Sequence, residues 1–430
     1  MSKEENRKNF SKYVSQNILG MIGFSCYVLA DSYFISIAKG ADGLTALNLV
    51  MPLYSIIFSI GEMIGVGSAI RYAISKIKKD ADADDYFWNA LIWCILSSML
   101  FVFAGIFFSA DIMRVLGADE HIVAVGNNYT KIFMCFAPMF MCNYVTNAFV
   151  RNDGAPGIAM SATLFSSLFN IVFDYILMFP MNLGMEGAAL ATALSPIIGM
   201  GICSIHFFSK KSSVRLVVCK PSVRKLVAGS QLGVSAFVGE MSAVITLAFN
   251  FVILKLAGNV GVAAYGVVAN IAIVTTAVFN GVAQGSQPLI SSCFGRGDKD
   301  GCTQLKRMGY TTAFVLAAVM YSILFIFAGQ FVAVFNSEGS EMLRLYATEG
   351  VKLYFIGIFF AGINIVGGGA FSATEDAFKA AVVSVARGFV LILGAVFVMS
   401  ALFGMTGVWL AYAVAEGITT FIMLVMVLRV

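Results

Sequence analysis

Thr163, Ser167, Asn170 and Asp174 recur at steps of four, three and four residues within one strongly apolar stretch. That spacing puts all of them on one face of a helix. The hydroxyl and amide members suit a polar seam packed against a neighbouring helix. Asp174 does not, because a carboxylate inside a bilayer costs several kcal/mol unless it is neutralised, paired or wetted. Asp31 is a second carboxylate in an apolar stretch, 143 residues upstream. If the two meet, then with the Asn170 amide and the Thr192 hydroxyl they form an oxygen-rich site suited to a hard cation such as Na+. The same pair can instead share a proton, since like charges at close range raise one pKa.

The elements that must position these groups follow from composition. With 59% hydrophobic and 12% charged residues and a mean hydropathy of +0.86, a soluble globular protein is excluded. Apolar runs predict twelve spans, at 13–38, 46–74, 86–109, 121–149, 157–180 and 187–208, then 225–254, 260–290, 309–335, 343–371, 377–402 and 407–428. Their lengths favour helices, because barrel strands show about ten residues of alternating polarity. The fold class is therefore an all-α integral membrane protein.

Lys and Arg are unevenly placed. With both termini cytoplasmic, 22 of the 28 fall on the inside, Arg151, Arg387 and Arg429 among them. Only Lys39, Arg114, Lys131, Lys255, Arg344 and Lys352 lie at or near the outside. This asymmetry predicts a multi-pass cell-membrane protein with both termini inside and an uncleaved first span as signal anchor. The net charge of +4 then reflects membrane orientation, with no nucleic-acid partner needed. The eight cysteines lie mostly within spans without metal-ligand spacing and read as small buried apolar residues. His121 and His206, near predicted membrane boundaries, are minor candidates for proton relay.

The chain reads as a duplication. Gly184-Met-Glu-Gly-Ala-Ala-Leu-Ala-Thr-Ala-Leu-Ser195 and Gly404-Met-Thr-Gly-Val-Trp-Leu-Ala-Tyr-Ala-Val-Ala415 are identical at six of twelve positions, at an offset of 220. At an offset of 218, Gly67-Ser68 and Asp80-x-Asp82 meet Gly285-Ser286 and Asp298-x-Asp300. Six helices per half bring both halves into the membrane from the same side. They then form two lobes related by a pseudo-twofold axis along the membrane normal, with a path between them. The expected units are an N-terminal lobe at 1–208, a cytoplasmic linker at 209–224 and a C-terminal lobe at 225–430.

Depth allows the first-lobe residues to meet in one plane, whereas helix rotation is not set by the sequence. Asp31 lies seven residues before the outer end of its predicted span, Asp174 six before its own, and Thr192 five after the outer start of the sixth. At a rise of 1.5 Å per residue, all three fall about 8–10 Å below the outer boundary. Glu62, Glu240 and Glu416 are further membrane-depth acids. Each can hold a cationic compound or relay protons, or pair with Arg387, a hydroxyl or backbone. The 38 Phe, 22 Met and 15 Tyr suit an adaptable cavity for flat lipophilic cations, although most must face lipid or neighbouring helices.

At these residues the chain resembles the multidrug and toxic compound extrusion (MATE) family, and the resemblance spans nearly its whole length. It rests on Ala30-Asp-Ser-Tyr-Phe-Ile35, Val150-Arg-Asn-Asp-Gly-Ala-Pro156, Asn170-x-x-x-Asp174, Gly187-Ala-Ala-Leu-Ala-Thr192 and Gln287-Pro-Leu-Ile290 in that order. It implies a cation-coupled exporter with a first-lobe site at Asp31, Asn170, Asp174 and Thr192. Tyr27 matches a position lining that site in relatives. The match looks closest to the DinF-like branch. The NorM-like branch uses acidic residues on the seventh and tenth spans; Glu240 supplies the first, but 354–371 holds no carboxylate. The first span also lacks the proline often found in relatives, and Gly20 and Gly23 are its candidate points of bending.

The expected function is a secondary antiporter, a monomer in the lipid bilayer, that expels small lipophilic cations in exchange for H+ or Na+ without another cofactor. Tyr27, Glu62 and Glu240 are the expected substrate-cavity residues. The alternative is a lipid-linked oligosaccharide flippase of related architecture, which should carry a strongly basic cavity. An enzyme is disfavoured by the lack of an HExxH, a Gly-rich phosphate loop or a nucleophile–base pattern.

Overall fold

The computed structural model describes residues 3–335 and 339–428, with backbone only at 41 and 242–244. Arg429, counted above among the inside charges, lies outside the described residues. Among the described residues, nine helical stretches are long and apolar enough to cross a bilayer, and a bent pair makes a tenth. Two of the nine, Val223–Gly295 and Ala377–Leu428, run for 73 and 52 residues. At 1.5 Å per residue each far exceeds the roughly 30 Å of a hydrocarbon core. Each reverses at a glycine, Gly258 (φ 61°, ψ −158°) and Gly404 (φ 58°, ψ −134°), and Gly40 (φ 58°, ψ −142°) separates the first two crossings in the same way. A Cβ is strained in that backbone region, so these turns need glycine.

Twelve crossings result. In the first half they are α1 (Lys3–Gly40), α2 (Asp42–Lys78), α3 (Asp85–Val115), α4 (Glu120–Cys135 and Ala137–Asn152, bent by 46°), α5 (Pro156–Met178) and α6 (Gly184–Phe207). In the second they are α7 (223–257), α8 (259–295), α9 (Lys299–Ile326), α10 (Glu341–Ala373), α11 (377–403) and α12 (405–428). Both described ends lie on one face of the bundle, here the terminal face. Large apolar side chains, among them Leu100, Phe107, Ile326, Leu402 and Phe421, point outward as lipid-facing residues must. Most helices extend a turn or more past the predicted spans, because hydropathy marks the apolar part and not the polar ends.

The backbone carries the repeat more completely than the letters do. Left-handed positions recur as Gly40 with Gly258, Lys79 with Gly297, Gly117 with Gly339, Gly154 with Glu375 and Gly184 with Gly404, at offsets of 218 to 222. Each half has its own core. One is built on Tyr72, Tyr129, Phe133 and Phe149, the other on Phe249, Phe279, Phe355 and Trp409.

The lobes touch along two seams, α2 with α7 and α1 with α8. A Cβ on Gly67 would lie 2.0 Å from the Gly229 carbonyl oxygen, and one on Gly285 would lie 2.7 Å from Val14 Cα. These two glycines are the pair matched at offset 218. Several hydrogen bonds and ion pairs join the lobes in the terminal half. Arg71 and Lys78 pair with Glu375, Asn6 donates to Gln304 at 3.2 Å, and Gln284 donates to Glu62 at 3.0 Å.

Residues 208–222 are non-helical and tied to the first lobe. The Ser222 and Ser213 amides donate to Asn89 and Asp153 at 2.6 and 2.8 Å. His206, 3% exposed, bonds Asp153 at 2.8 Å beside this strap. His121 pairs with Asp42 at 2.9 Å on the opposite face. Helix α1 stays helical through Gly20 and Gly23, which let α5 approach at Met160 and Leu164.

Candidate functional site

Helices α1, α5 and α6 bring the four first-lobe residues together. Asn170 and Asp174 are wholly buried, Thr192 is 1% and Asp31 6% exposed. The Asn170 amide is oriented so that both ends find complementary partners. Its nitrogen donates to Asp174 Oδ2 at 3.1 Å, and its oxygen accepts from the Thr192 hydroxyl and amide at 3.2 and 3.3 Å. Asp31 and Asp174 lie within reach of each other's charge. One oxygen of each, Oδ1, is buried without a hydrogen-bond partner. Two open carboxylate oxygens beside an amide and a hydroxyl fit a proton or a small hard cation. Among the described residues, no group of three or more His, Cys, Asp or Glu gathers as a metal site.

The half of the α5 stripe nearer the terminal face lies outside this cluster. Thr163 and Ser167 line a cavity of about 980 Å3, whose wall also holds Asn17, Tyr27, Glu62, Arg151, Glu240 and Gln284. A second space of about 570 Å3 shares Glu62, Glu240 and Gln284 and extends into the second lobe to Asn364 and Arg387. Neither is lined by Asp31, Asn170, Asp174 or Thr192. Tyr27 connects the two regions: it lines the larger cavity and lies within electrostatic reach of Asp31, Asp174 and Glu240. Above it, the Tyr54 and Tyr129 hydroxyls bond each other, and Tyr54 stacks on Phe133 at 3.6 Å.

A polar chain forms the cavity floor. Gln284 of α8 donates to Glu62 of α2 and accepts from Arg151 of α4, which also donates to Asn17 of α1 at 3.3 Å. Arg151 is 5% exposed and its Nε is buried without an acceptor. Counted by sequence as a surface charge, it is a cavity residue, and its place in the Val150–Pro156 motif was the available signal. Gln284 and Asn364 carried no such signal. Glu240 ends the first helical segment of α7, which resumes at Ser242. Glu416 is paired with Arg387, one of the alternatives left open by sequence, with Nη2–Oε1 at 2.6 Å.

Comparison with known proteins bears on this arrangement. A family model, MatE, matches residues 17–176 and 235–399. The multidrug export protein MepA of Staphylococcus aureus (strain MRSA252) is 28% identical over 417 residues, covering 93% of this chain and 89% of the relative. A MATE protein solved in complex with MaL6 superposes with a TM-score of 0.92 at 20% identity, over 99% of this chain and 96% of the other. A multidrug resistance MATE family transporter of the MOP superfamily, in its outward-facing conformation, gives 0.91 at 20% identity with the same coverage. The family model covers most of both halves, and with it the chain belongs to the MatE family, the multidrug and toxic compound extrusion transporters.

Proposed function

We propose that this MATE transporter exports small lipophilic cations across the cell membrane in exchange for H+ or Na+, coupled at Asp31, Asn170, Asp174 and Thr192. The observation that carries this reading is the pair of buried, partner-free carboxylate oxygens on Asp31 and Asp174, joined through Tyr27 to a cavity walled by Glu62 and Glu240. An ion that fills the cluster changes its charge, and Tyr27 stands between that charge and the cavity. Differential occupancy in two conformations is what coupling requires. The MepA relatives are named multidrug export proteins, which supports export of drug-like compounds.

The terminal face is cytoplasmic in this reading, so the seams close the inside while the cavity faces out. Residues 1–208 and 225–430 are the two moving bodies, with 209–224 as their tether, in a monomer. The DinF-like assignment rests on α10, where Asn364 stands and 354–371 holds no carboxylate. A flippase for pyrophosphate-linked sugars is the weaker reading: the shared wall is acidic at Glu62 and Glu240, and the deep arginines Arg151 and Arg387 are engaged by Gln284 and Glu416. The test is efflux from proteoliposomes under separately imposed proton and sodium gradients. Drive by one gradient, abolished by the matching ionophore, is expected; efflux indifferent to both overturns the coupling.

A further inference from the structure

The two halves are repeats, yet the space between their last three helices is used differently. In the first lobe Ser166 and Ser167 of α5 and Ser195 and Pro196 of α6 line the larger cavity. The flanking turns set the register: Gly154 with Glu375 and Gly184 with Gly404, offsets of 221 and 220. By 220, Ser167 and Pro196 fall on Arg387 and Glu416; by 221, Ser166 and Ser195 do. Either way, positions that open a pocket in one lobe carry opposite charges in the other.

Those charges fill the space. Arg387 Nε donates to the two Glu416 oxygens at 3.1 and 3.2 Å, and Nη2 donates to Oε1 at 2.6 Å. Asn364 donates to Oε2 at 2.7 Å, and Thr420 donates to the Asn364 oxygen at 3.0 Å. Arg387 sits in a π-helical turn, Ala386–Val390, a local distortion that often marks a functional position. Gly388 of that turn lets α7 approach: a Cβ there would lie 2.2 Å from Val238 Cγ1. The cavity left on this side is the smaller, about 570 against 980 Å3, and Arg387 lines it while Glu416 does not.

We propose that the Arg387–Glu416 pair is a built-in plug that occupies the second lobe's counterpart of the first lobe's open pocket. With Arg387 as its wall-facing member, it directs cationic compounds to the first lobe. This rests on the reading of the larger cavity as the transport site. A guanidinium on the wall repels a cation, and a carboxylate behind it neutralises most of that field at longer range. The pair therefore determines which side of the shared cavity accepts positive charge.

Binding of tetraphenylphosphonium, a permanent cation without hydrogen-bond donors, to the purified full-length protein tests this. A unit charge roughly 10 Å away at an effective dielectric of about 20 alters affinity about tenfold. Arg387→Met, which leaves Glu416 uncompensated, should lower Kd about tenfold, and Glu416→Gln should raise it about tenfold. The exchange Arg387→Glu with Glu416→Arg keeps an ion pair and therefore folds even where a single variant does not. It turns the carboxylate to the wall and should also lower Kd. An unchanged Kd in the exchange, or shifts of the same sign in both single variants, overturns the plug and leaves the transport reading intact. Absence of binding by the unaltered protein overturns the transport reading, and this inference with it.

Discussion

Asp174 combines complete burial, a hydrogen bond from Asn170 and an oxygen with no partner. Asp174→Asn keeps the size and much of the hydrogen bonding but removes the negative charge. It should fold normally and transport at under about a tenth of the normal rate when driven by the coupling gradient. Asp31→Asn should act alike, and the double variant should add little, because residues that serve one ion as a unit are strongly non-additive. Gradient-driven efflux in proteoliposomes at matched protein, alongside H+ or Na+ binding, checks all three; full efflux by Asp174→Asn would remove the cluster from the coupling mechanism. Glu240 lies in the cavity wall and outside that cluster. Glu240→Gln should therefore alter relative resistance among cationic drugs more than it alters ion binding. A uniform loss with poor expression would show that Glu240 is needed for the fold instead.

The helices decide which end of the path is shut. The α2–α7 seam depends on Gly67 and Gly233, each with backbone of the other lobe where a Cβ would stand. Gly67→Val cannot be absorbed by rotating a side chain, because the obstacle is the Gly229 carbonyl. The two helices must separate by an ångström or more, which disfavours the form closed at the terminal face. Spin labels at Lys79 and Lys299, on opposite lobes at that face, should report a population shifted to longer distances. An unchanged distance distribution in folded Gly67→Val protein would show that the seam does not limit opening. Salt should have a smaller effect on the same distances, because the ion pairs of Arg71 and Lys78 with Glu375 are partly exposed and such pairs contribute about 0–1 kcal/mol.

At the scale of the whole molecule, the bundle defines two faces, and the proposed orientation puts the terminal face in the cytoplasm. In a cysteine-free background, a single cysteine replacing Ala81, between α2 and α3, should resist an impermeant thiol reagent in intact cells. One replacing Asp42, exposed at the opposite face, should react. The reverse labelling pattern would invert the orientation and make the sealed seams the outer gate. It would leave the fold and the side-chain cluster as they are, since both are independent of which way the protein is inserted.

Much of this architecture was legible in the residues because a bilayer enforces strong rules. Apolar length sets the spans, and a buried carboxylate stands out against them, so twelve helices and the α5 stripe at Thr163, Ser167, Asn170 and Asp174 could be read directly. The duplication showed through its turns, where a left-handed backbone restricts residue choice at Gly184 and Gly404. What the sequence could not set was helix rotation and the distance between lobes. Both arise from side-chain packing between segments far apart in the chain, and periodicity within one helix carries no information about its partner. Tertiary structure therefore divided the α5 stripe, with Thr163 and Ser167 on the cavity and Asn170 and Asp174 in the cluster with Thr192. It drew Arg151 in beneath Gln284 and Glu62, although its position at a helix end reads as surface. It also paired Glu416 with Arg387, 29 residues apart, where hydropathy alone shows only two costly charges.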